Sequence, residues 1–250
     1  MKIFLSGAEA YRYALSNEPK QKAPYLLQTF YDVRRKDKND IIRMLNSCED
    51  FILDSGAFTF MNVGKKVHWK SYVDDYINFI NKYDIKHFIE LDLDYVEGLE
   101  KTEKIRKYIE QKTGKKTIPV WHAKTRGLDY FKKTCEEYEY IALSTMEISK
   151  KGVYTRYDEN MLRQLVKIAH KYGCKVHGLG YMSFKELNNP RINFDTIDAS
   201  SWNGSIWGNM TVFKHGKLSK KKAPSNLTSK QISKKDYETW VKISIEKGKK

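Results

Sequence analysis

Seven short apolar runs, each ending in small or polar residues, constrain the fold of this 250-residue chain more than any other feature. Runs of this length that are apolar on both faces are typical of buried parallel strands. They therefore predict a parallel sheet at the centre of the molecule. The runs lie at residues 3–6, 51–54, 88–92, 118–122, 140–144, 176–180 and 194–198.

Segments with helical spacing separate these runs. Apolar residues recur at i, i+3, i+4 and i+7 within residues 73–80 and again within residues 162–169, after which Gly173 is a good helix stop. Ser183 and Glu186 form a plausible capping box for another helix. Strands that alternate with helices indicate βαβ units, and seven such strands fit a TIM-like (β/α) barrel better than a small open sheet.

We assign residues 1–213 to this barrel, a compact α/β domain without a zinc subdomain. The eighth strand is not clear from the pattern, and residues 206–213 are the candidate for it. Residues 214–250 differ in composition, with twelve Lys, no Arg and three acidic residues. Here we expect a loop at 219–225 and a short helix at 233–246, packed on the barrel or extending from it. This Lys-rich end either solubilises the protein or contacts a phosphate backbone.

The charge and cysteine content narrow the class of protein. The chain has 46 basic and 31 acidic residues, so its formal net charge of +15 favours a polyanionic partner. Cys48, Cys135 and Cys174 are far apart, which argues against a disulfide framework and a clustered zinc site. No run approaches the roughly 18 apolar residues of a membrane span, and the N-terminus does not resemble a signal peptide. We expect a cytoplasmic protein that needs no metal or cofactor and does not associate with membranes.

Three of the predicted strands end in aspartate, at Asp54, Asp92 and Asp198. Catalytic groups of a parallel α/β barrel lie at the carboxyl ends of its strands, and an Asp after apolar residues is costly to bury unless it is paired or functional. Each one alone could simply cap a turn or a helix. Together they favour glycosyl chemistry, in which one carboxylate attacks the anomeric carbon and another moves a proton at the leaving group. A carboxylate also accepts hydrogen bonds from the N1–H and amino groups of guanine.

Two of these strand ends carry a family resemblance. The run DSGAF at residues 54–58 resembles the Asp-Ser-Gly-Gly-Phe motif of tRNA-guanine transglycosylases, and FDTID at residues 194–198 resembles the strand that carries their nucleophilic Asp. The run DASSW at residues 198–202 is still more similar to the DpdA-type 7-deazaguanine DNA transglycosylases of phages and bacteria. The resemblance extends from about residue 3 to residue 208 as spaced motifs.

The family implies a TIM barrel that exchanges guanine in a nucleic acid for a 7-deazaguanine. By this resemblance, Asp198 is the nucleophile that displaces guanine and holds a covalent glycosyl intermediate. Asp54 handles the proton and helps to position the base, and Asp92 hydrogen-bonds the incoming heterocycle.

The resemblance also implies a set of base-binding residues around these carboxylates. His122 stands where the family uses a Gln, and Ser144 and Thr145 replace a Gly-Gly backbone contact. Two aromatic residues are the nearest candidates to sandwich a flipped base. His177 alternates with a glycine of this set along its strand and is expected to face a helix. The base-binding set is Ser55, Gly56, Phe58, His122, Ser144, Thr145, Gly178, Gly180 and Tyr181.

Departures from the tRNA enzymes favour DNA as the polymer. The Cys/His zinc ligands are missing from the sequence, the chain is shorter, and Ser200, Ser201 and Trp202 replace the Pro-Thr-Arg that follows the nucleophile. We therefore expect DNA and a 7-deazaguanine base, such as the 7-cyano form, as substrates, in the host cytoplasm if the chain is phage-encoded. The alternatives are an RNA transglycosylase, a glycosidase that only removes a base, and an inactive nucleic-acid-binding barrel. Candidate nucleic-acid contacts are Trp202 (alternatively a core residue), Lys124, Arg126, Arg156, Lys220, Lys221 and Lys222.

Overall fold

The computed structural model describes residues 1–7, 23–57, 69–148, 154–181, 183–202 and 208–249. In chain order its strands are β1 (Lys2–Ser6), β2 (Tyr25–Thr29), β3 (Asp50–Asp54), β4 (His87–Phe88), β5 (Val120–Trp121), β6 (Tyr140–Ser144), β7 (Met146–Ile148), β8 (Tyr154–Arg156), β9 (Lys175–Leu179), β10 (Thr196–Ala199), β11 (Asn209–Lys214) and β12 (Lys217–Lys222). Its helices are α1 (Phe30–Val33), α2 (Lys38–Asn46), α3 (Trp69–Lys82), α4 (Asp94–Glu97), α5 (Leu99–Thr113), α6 (Leu128–Glu137), α7 (Glu159–Lys171), α8 (Phe184–Asn188) and α9 (Ser229–Gly248).

Eight parallel strands form one curled sheet in the order β4-β3-β2-β1-β10-β9-β6-β5. A parallel bridge between Ile89 and Ile118 joins the two edges of this sheet. In that bridge the Ile118 N–H donates to Phe88 O at 2.8 Å and the Glu90 N–H donates to Ile118 O at 3.1 Å. Neighbours around the closed sheet are neighbours in sequence, so the predicted TIM-like (β/α) barrel is confirmed.

The eighth strand lies elsewhere than the sequence indicated. It is β2, in which only Tyr25, Leu26 and Leu27 are apolar before polar residues follow, so the run is too short to stand out. The candidate at residues 206–213 was wrong, because its described part belongs to β11, which pairs antiparallel with β12 in a separate hairpin. The loop expected at 219–225 is wrong over 219–222, since those residues belong to β12.

The two predicted amphipathic helices are confirmed as α3 and α7, whose apolar positions are buried. Asp158 caps α7 by accepting hydrogen bonds from backbone N–H groups of Asn160 and Met161. Ser183 caps α8 in the same way, as its side chain accepts from the Glu186 N–H. None of the helices in the described ranges is long and apolar enough to cross a membrane.

An apolar core fills the inside of the barrel and leaves its mouth, at the carboxyl ends of the strands, to polar residues. A second and larger core lies between the sheet and the surrounding helices. The inner core contains Phe4, Tyr25, Leu27, Ile52, Ile89, Ile118, Val120 and Ala142. Because the interior is packed, a small molecule enters this barrel only from the mouth.

The C-terminal helix α9 packs on the barrel. It begins after Thr228, which forms a capping box with Gln231, so it starts four residues before the expected 233–246. The Ser244 hydroxyl donates to Ile3 O of β1 at 2.6 Å, and the buried Trp240 donates from Nε1 to Thr211 Oγ1 of β11 at 3.0 Å. The boundary assigned at residue 213 falls inside strand β11.

Candidate active site at the barrel mouth

Three aspartates line one cavity of about 300 Å³ at the mouth of the barrel. Asp54 ends β3, Asp92 follows β4, and Asp198 lies in β10. The closed sheet places these three strand ends around a single opening, although the residues are far apart in sequence. The cavity is lined by Leu27, Asp54, Ile89, Asp92, Tyr95, Ser144, Met146, Leu179, Gly180 and Asp198.

Hydrogen-bond donors from both neighbouring strands orient Asp198. The backbone N–H of Gly180, just after β9, donates to Oδ1 at 2.6 Å, and the Ser6 hydroxyl at the end of β1 donates to Oδ2 at 3.0 Å. His177 Nε2 lies 3.5 Å from Oδ1. These donors stabilise negative charge on a carboxylate that remains accessible from the cavity.

Asp54 lies in a different electrostatic environment. Burial, followed by repulsion from Asp92 and Asp198, raises its pKa to about 7, against opposing hydrogen bonds from the backbone of Ser55 and Gly56. At neutral pH its carboxyl group is therefore close to half protonated. This property suits a group that gives and takes a proton in one reaction cycle.

The turn after β3 explains why Gly56 is needed there. Gly56 has φ +75°, and a Cβ at this position would lie 2.8 Å from Tyr31 Cβ. The buried Ser55 holds the same turn, because its Oγ accepts from the Ala57 N–H and its carbonyl accepts from the Tyr72 hydroxyl. Ser55 does not line the cavity, so the structure does not bring it to the predicted base site. Gly56 allows the turn in which its own backbone N–H donates a hydrogen bond to Asp54.

Asp92 and His122 form a pair at the rim of the cavity. His122 Nε2 lies 3.0 Å from Asp92 Oδ2, and the ring of Tyr95 packs edge-on against the imidazole at 5.3 Å between centroids. His122 is buried and reaches the cavity through Asp92. Among the described residues, no hydrogen-bond donor contacts the second oxygen of Asp92, which can accept from a ligand.

Only part of the predicted base-binding set faces the cavity. Ser144 and Gly180 line it, and the Ser144 hydroxyl donates to Met146 O at 2.7 Å. The buried Thr145 donates to Leu179 O, so its hydroxyl is not available to a base. Phe58 lies outside the described residues.

Two further residues of that set pack away from the cavity. A Cβ on Gly178 would meet Tyr181 Cβ at 3.0 Å and the Phe194 ring at 3.1 Å, so Gly178 permits close packing in the outer core. Tyr181 is buried against Phe194, with ring centroids 5.0 Å apart. Both residues pack in the outer core in this structure, which therefore does not bring them to the cavity.

Sequence reasoning missed several residues of the site. Ser6 carries the same signal as the aspartates, a polar residue that ends an apolar run, and could have been found from it. Tyr95 and Met146 reach the cavity from the short elements α4 and β7, for which the sequence gives no signal. His177 was expected to face a helix, but it points into the barrel towards Phe4 and Asp198.

Two of the predicted nucleic-acid contacts are buried and wrong. Arg126 is 1% exposed and forms ion pairs with Glu90 at 2.5 Å and Asp94 at 3.0 Å. Trp202 is fully buried, and its Nε1 donates to Ser6 O at 2.8 Å. Both side chains are already satisfied inside the protein and do not reach a phosphate or a base.

The other predicted contacts, Lys124, Arg156, Lys220, Lys221 and Lys222, are exposed. Three of them lie on β12 of the C-terminal hairpin. Within the described ranges, no group of three or more His, Cys, Asp or Glu side chains is arranged to hold a metal ion.

No protein-family model and no curated protein matches this chain. Among solved structures, an enolase protein from the environmental genome shotgun sequencing of the Sargasso Sea is similar, with a TM-score of 0.44 and 8% sequence identity. The match covers 80% of this chain and 54% of the enolase, so the chain spans about half the length of that structure. At this level of similarity the enolase says nothing about what the cavity binds.

Proposed function

We propose that this chain is a transglycosylase that exchanges guanine in DNA for a 7-deazaguanine, through a covalent bond between Asp198 and the deoxyribose. One observation carries the proposal: Asp54 and Asp198 line the same cavity in contrasting environments. Asp198 is hydrogen-bonded by Gly180 and Ser6, whereas the pKa of Asp54 is raised to about 7. A nucleophilic carboxylate beside a carboxylic acid is what glycosyl transfer requires.

The reaction begins when a guanine leaves the DNA stack and enters the mouth of the barrel. A carboxylate oxygen of Asp198 attacks C1′, the C1′–N9 bond breaks, and its electron pair leaves with guanine. The protonated Asp54 gives its proton to the departing base. The sugar is then joined to Asp198 as an ester, and Asp54 is ionised.

The second half reverses these steps with a different base. The incoming 7-deazaguanine loses its N9 proton to Asp54 and attacks C1′, and the bond to Asp198 breaks. Two inversions at C1′ retain the β configuration, and Asp54 is protonated again. The free oxygen of Asp92 is placed to accept from the N1–H and amino groups of either base.

The polymer is proposed on electrostatic grounds. The formal net charge is +15, and exposed lysines of β12 supply positive charge outside the acidic mouth. Phosphate contacts of this kind position a nucleic acid without reading its sequence.

The decisive experiment incubates the protein with duplex DNA and 7-cyano-7-deazaguanine, and analyses the nucleosides of the DNA by mass spectrometry. We expect the modified deoxynucleoside with the wild type and a loss of about a thousandfold or more with Asp198→Asn. The matched control is Asp195→Asn, because Asp195 lies three residues away but hydrogen-bonds His170 outside the barrel at 2.9 Å. We expect this control to keep its activity.

Other outcomes would overturn parts of the proposal. Incorporation into tRNA and not into DNA would change the polymer, and abasic DNA without incorporation would indicate a glycosidase. Full activity of Asp198→Asn would exclude Asp198 as the nucleophile. DNA binding with no reaction on either polymer would indicate a barrel without catalysis.

A further inference from the structure

A chain of polar side chains lies inside the barrel directly below Asp198. Tyr140 on β6, His177 on β9 and Thr196 on β10 come from three adjacent strands, and His177 is paired with both Ala142 and Thr196 in the strand register. His177 is fully buried. The inner apolar core packs around His177, so its ring nitrogens are costly to bury unless they are hydrogen-bonded.

The distances connect these side chains to one another, and Tyr140 Oη also lies 3.5 Å from His177 Nδ1. Tyr140 Oη lies 2.5 Å from Thr196 Oγ1, which lies 2.7 Å from His177 Nδ1. The other ring nitrogen, Nε2, has no hydrogen-bond partner within the described part of the chain, and the polar atom that it faces is Asp198 Oδ1 at 3.5 Å. The groups that face the imidazole are thus Tyr140, Thr196, Asp198 and the uncharged ring of Phe4.

Of the two neutral tautomers of the imidazole, only the Nε2–H form satisfies these contacts without repulsion. If Nδ1 carried the proton, the bare lone pair of Nε2 would face a carboxylate oxygen. In the reverse ordering Tyr140 donates to Thr196, Thr196 donates to Nδ1, and the Nε2–H points at Asp198. Each hydroxyl then donates once, and the imidazole is neutral with a fixed tautomer.

We infer that His177 is a positioning residue for Asp198, held in its Nε2–H tautomer by Tyr140 and Thr196. The inference rests on the proposed function in that Asp198 is taken as the nucleophile. Together with the Gly180 N–H, the imidazole directs two donors at Oδ1, whereas Oδ2 accepts only from Ser6 among the described residues. Oδ2 is therefore the oxygen that attacks C1′, and Oδ1 becomes the ester carbonyl. The Nε2–H then stabilises the charge that returns to Asp198 when the ester breaks.

The kinetic test compares two substitutions at one position. His177→Leu removes both ring nitrogens, whereas His177→Gln keeps an N–H donor at the reach of Nε2. We expect His177→Leu to lower kcat for exchange by about 10- to 100-fold with little change in KM for DNA, and His177→Gln to recover most of the loss. His170→Leu, a partly exposed histidine outside the barrel, is the control and should remain active. Equal rates for Leu and Gln, or a Leu variant within twofold of the wild type, would overturn the inference.

A spectroscopic test does not depend on catalysis. Nitrogen-15 NMR of the histidine-labelled protein should show His177 as the neutral Nε2–H tautomer, and Thr196→Val should convert it to a mixture of tautomers. An Nδ1–H tautomer or an imidazolium in the wild type would contradict the inference even if exchange is observed. Absence of exchange on any polymer, with the predicted tautomer present, would contradict the proposed function and leave the orientation of His177 established.

Discussion

Two groups of carboxylates lie side by side at the mouth of this barrel and differ in how their charge is balanced. Glu90 and Asp94 are buried and form ion pairs with Arg126, and Glu90 also contacts Arg106 at 3.4 Å. Among the residues that the structure describes, no Lys or Arg pairs with the three aspartates of the cavity. The first group stabilises the fold, and the second retains uncompensated charge that a reaction can use.

The pKa values of the two groups show the consequence. Burial by itself raises the pKa of Asp94, but attraction to Arg126 and His122 and hydrogen bonds from Arg126 and Thr125 together outweigh burial, and the pKa lies below its ordinary value. For Asp54, burial is reinforced by the charges of Asp92 and Asp198, and the pKa rises to about 7. Position at a strand end is therefore not enough to make a carboxylate reactive, because the nearest cation decides its protonation.

The largest effect on stability is expected from the buried group. Arg126→Met leaves Asp94 without its cation and Glu90 with only the more distant Arg106, and we expect the free energy of unfolding to fall by about 3–5 kcal/mol. Urea denaturation measures this change. The control is Arg43→Met, which removes an exposed ion pair with Asp40 and should cost less than about 1 kcal/mol. If both variants lose the same amount, the buried ion pairs of Arg126 stabilise the fold no more than an exposed ion pair does.

Among the cavity aspartates, Asp54 should control the pH dependence of the exchange rate. Because Asp54 must be protonated to release guanine, kcat/KM for DNA should fall about tenfold per pH unit above roughly pH 7. Steady-state rates between pH 6 and 9 test this, with Asp195→Asn as a control that keeps the same profile. A flat profile up to pH 9 would exclude Asp54 as the proton donor.

Replacing Asp54 should also change stability, in a direction opposite to Arg126→Met. Between about pH 4 and 7 the folded protein keeps the proton of Asp54 and the unfolded chain has lost it, so wild-type stability falls as the pH rises through this window. Asp54→Asn does not titrate. Relative to the wild type we therefore expect it to gain about 4 kcal/mol between pH 4 and pH 8. Urea denaturation at the two pH values measures the gain, and an unchanged difference would mean that the Asp54 pKa is not raised.

The smallest expected effect is on the affinity of the protein for DNA. Arg106 and Arg126 are neutralised internally, so exposed basic residues elsewhere would contact the phosphates, and three of these are the lysines of β12. We expect joint replacement of Lys220, Lys221 and Lys222 by Gln to weaken DNA binding on the order of tenfold and to reduce the salt slope by about one per lost contact.

The matched control for this prediction removes three lysines from the opposite end of the barrel. Lys82, Lys86 and Lys112 are exposed there, at the ends of α3 and α5 and before β4. Their replacement by Gln removes the same charge. Equal losses of affinity in fluorescence anisotropy titrations would show that net charge attracts the DNA, and that the β12 lysines make no specific contact.

Much of the barrel could be predicted because strands buried on both faces must be apolar throughout. Strand β2 escaped prediction because its apolar stretch has only three residues, and pairing with β1 and β3 supplies the rest of its stability. Short strands of this kind depend on their neighbours more than on their own residue preferences.

The residue type alone did not predict whether a side chain is exposed to solvent. Arg126 and Trp202 were reasonable contacts for a nucleic acid, yet both are buried. Glu90 and Asp94 attract the first, and a carbonyl of β1 accepts a hydrogen bond from the second. These partners are distant in sequence, so no local sequence pattern predicts the contacts.

The sequence alone determined that strands and helices alternate, that aspartates stand at three strand ends, and that the chain carries a large positive charge. These features follow from local periodicity and composition. Only the tertiary structure decided that Asp54, Asp92 and Asp198 share one cavity, that arginines neutralise the carboxylates beside them, and that His177 lies beneath Asp198. The reason is physical: closing the sheet sets the distances between residues far apart in the chain, and those distances determine protonation and reactivity.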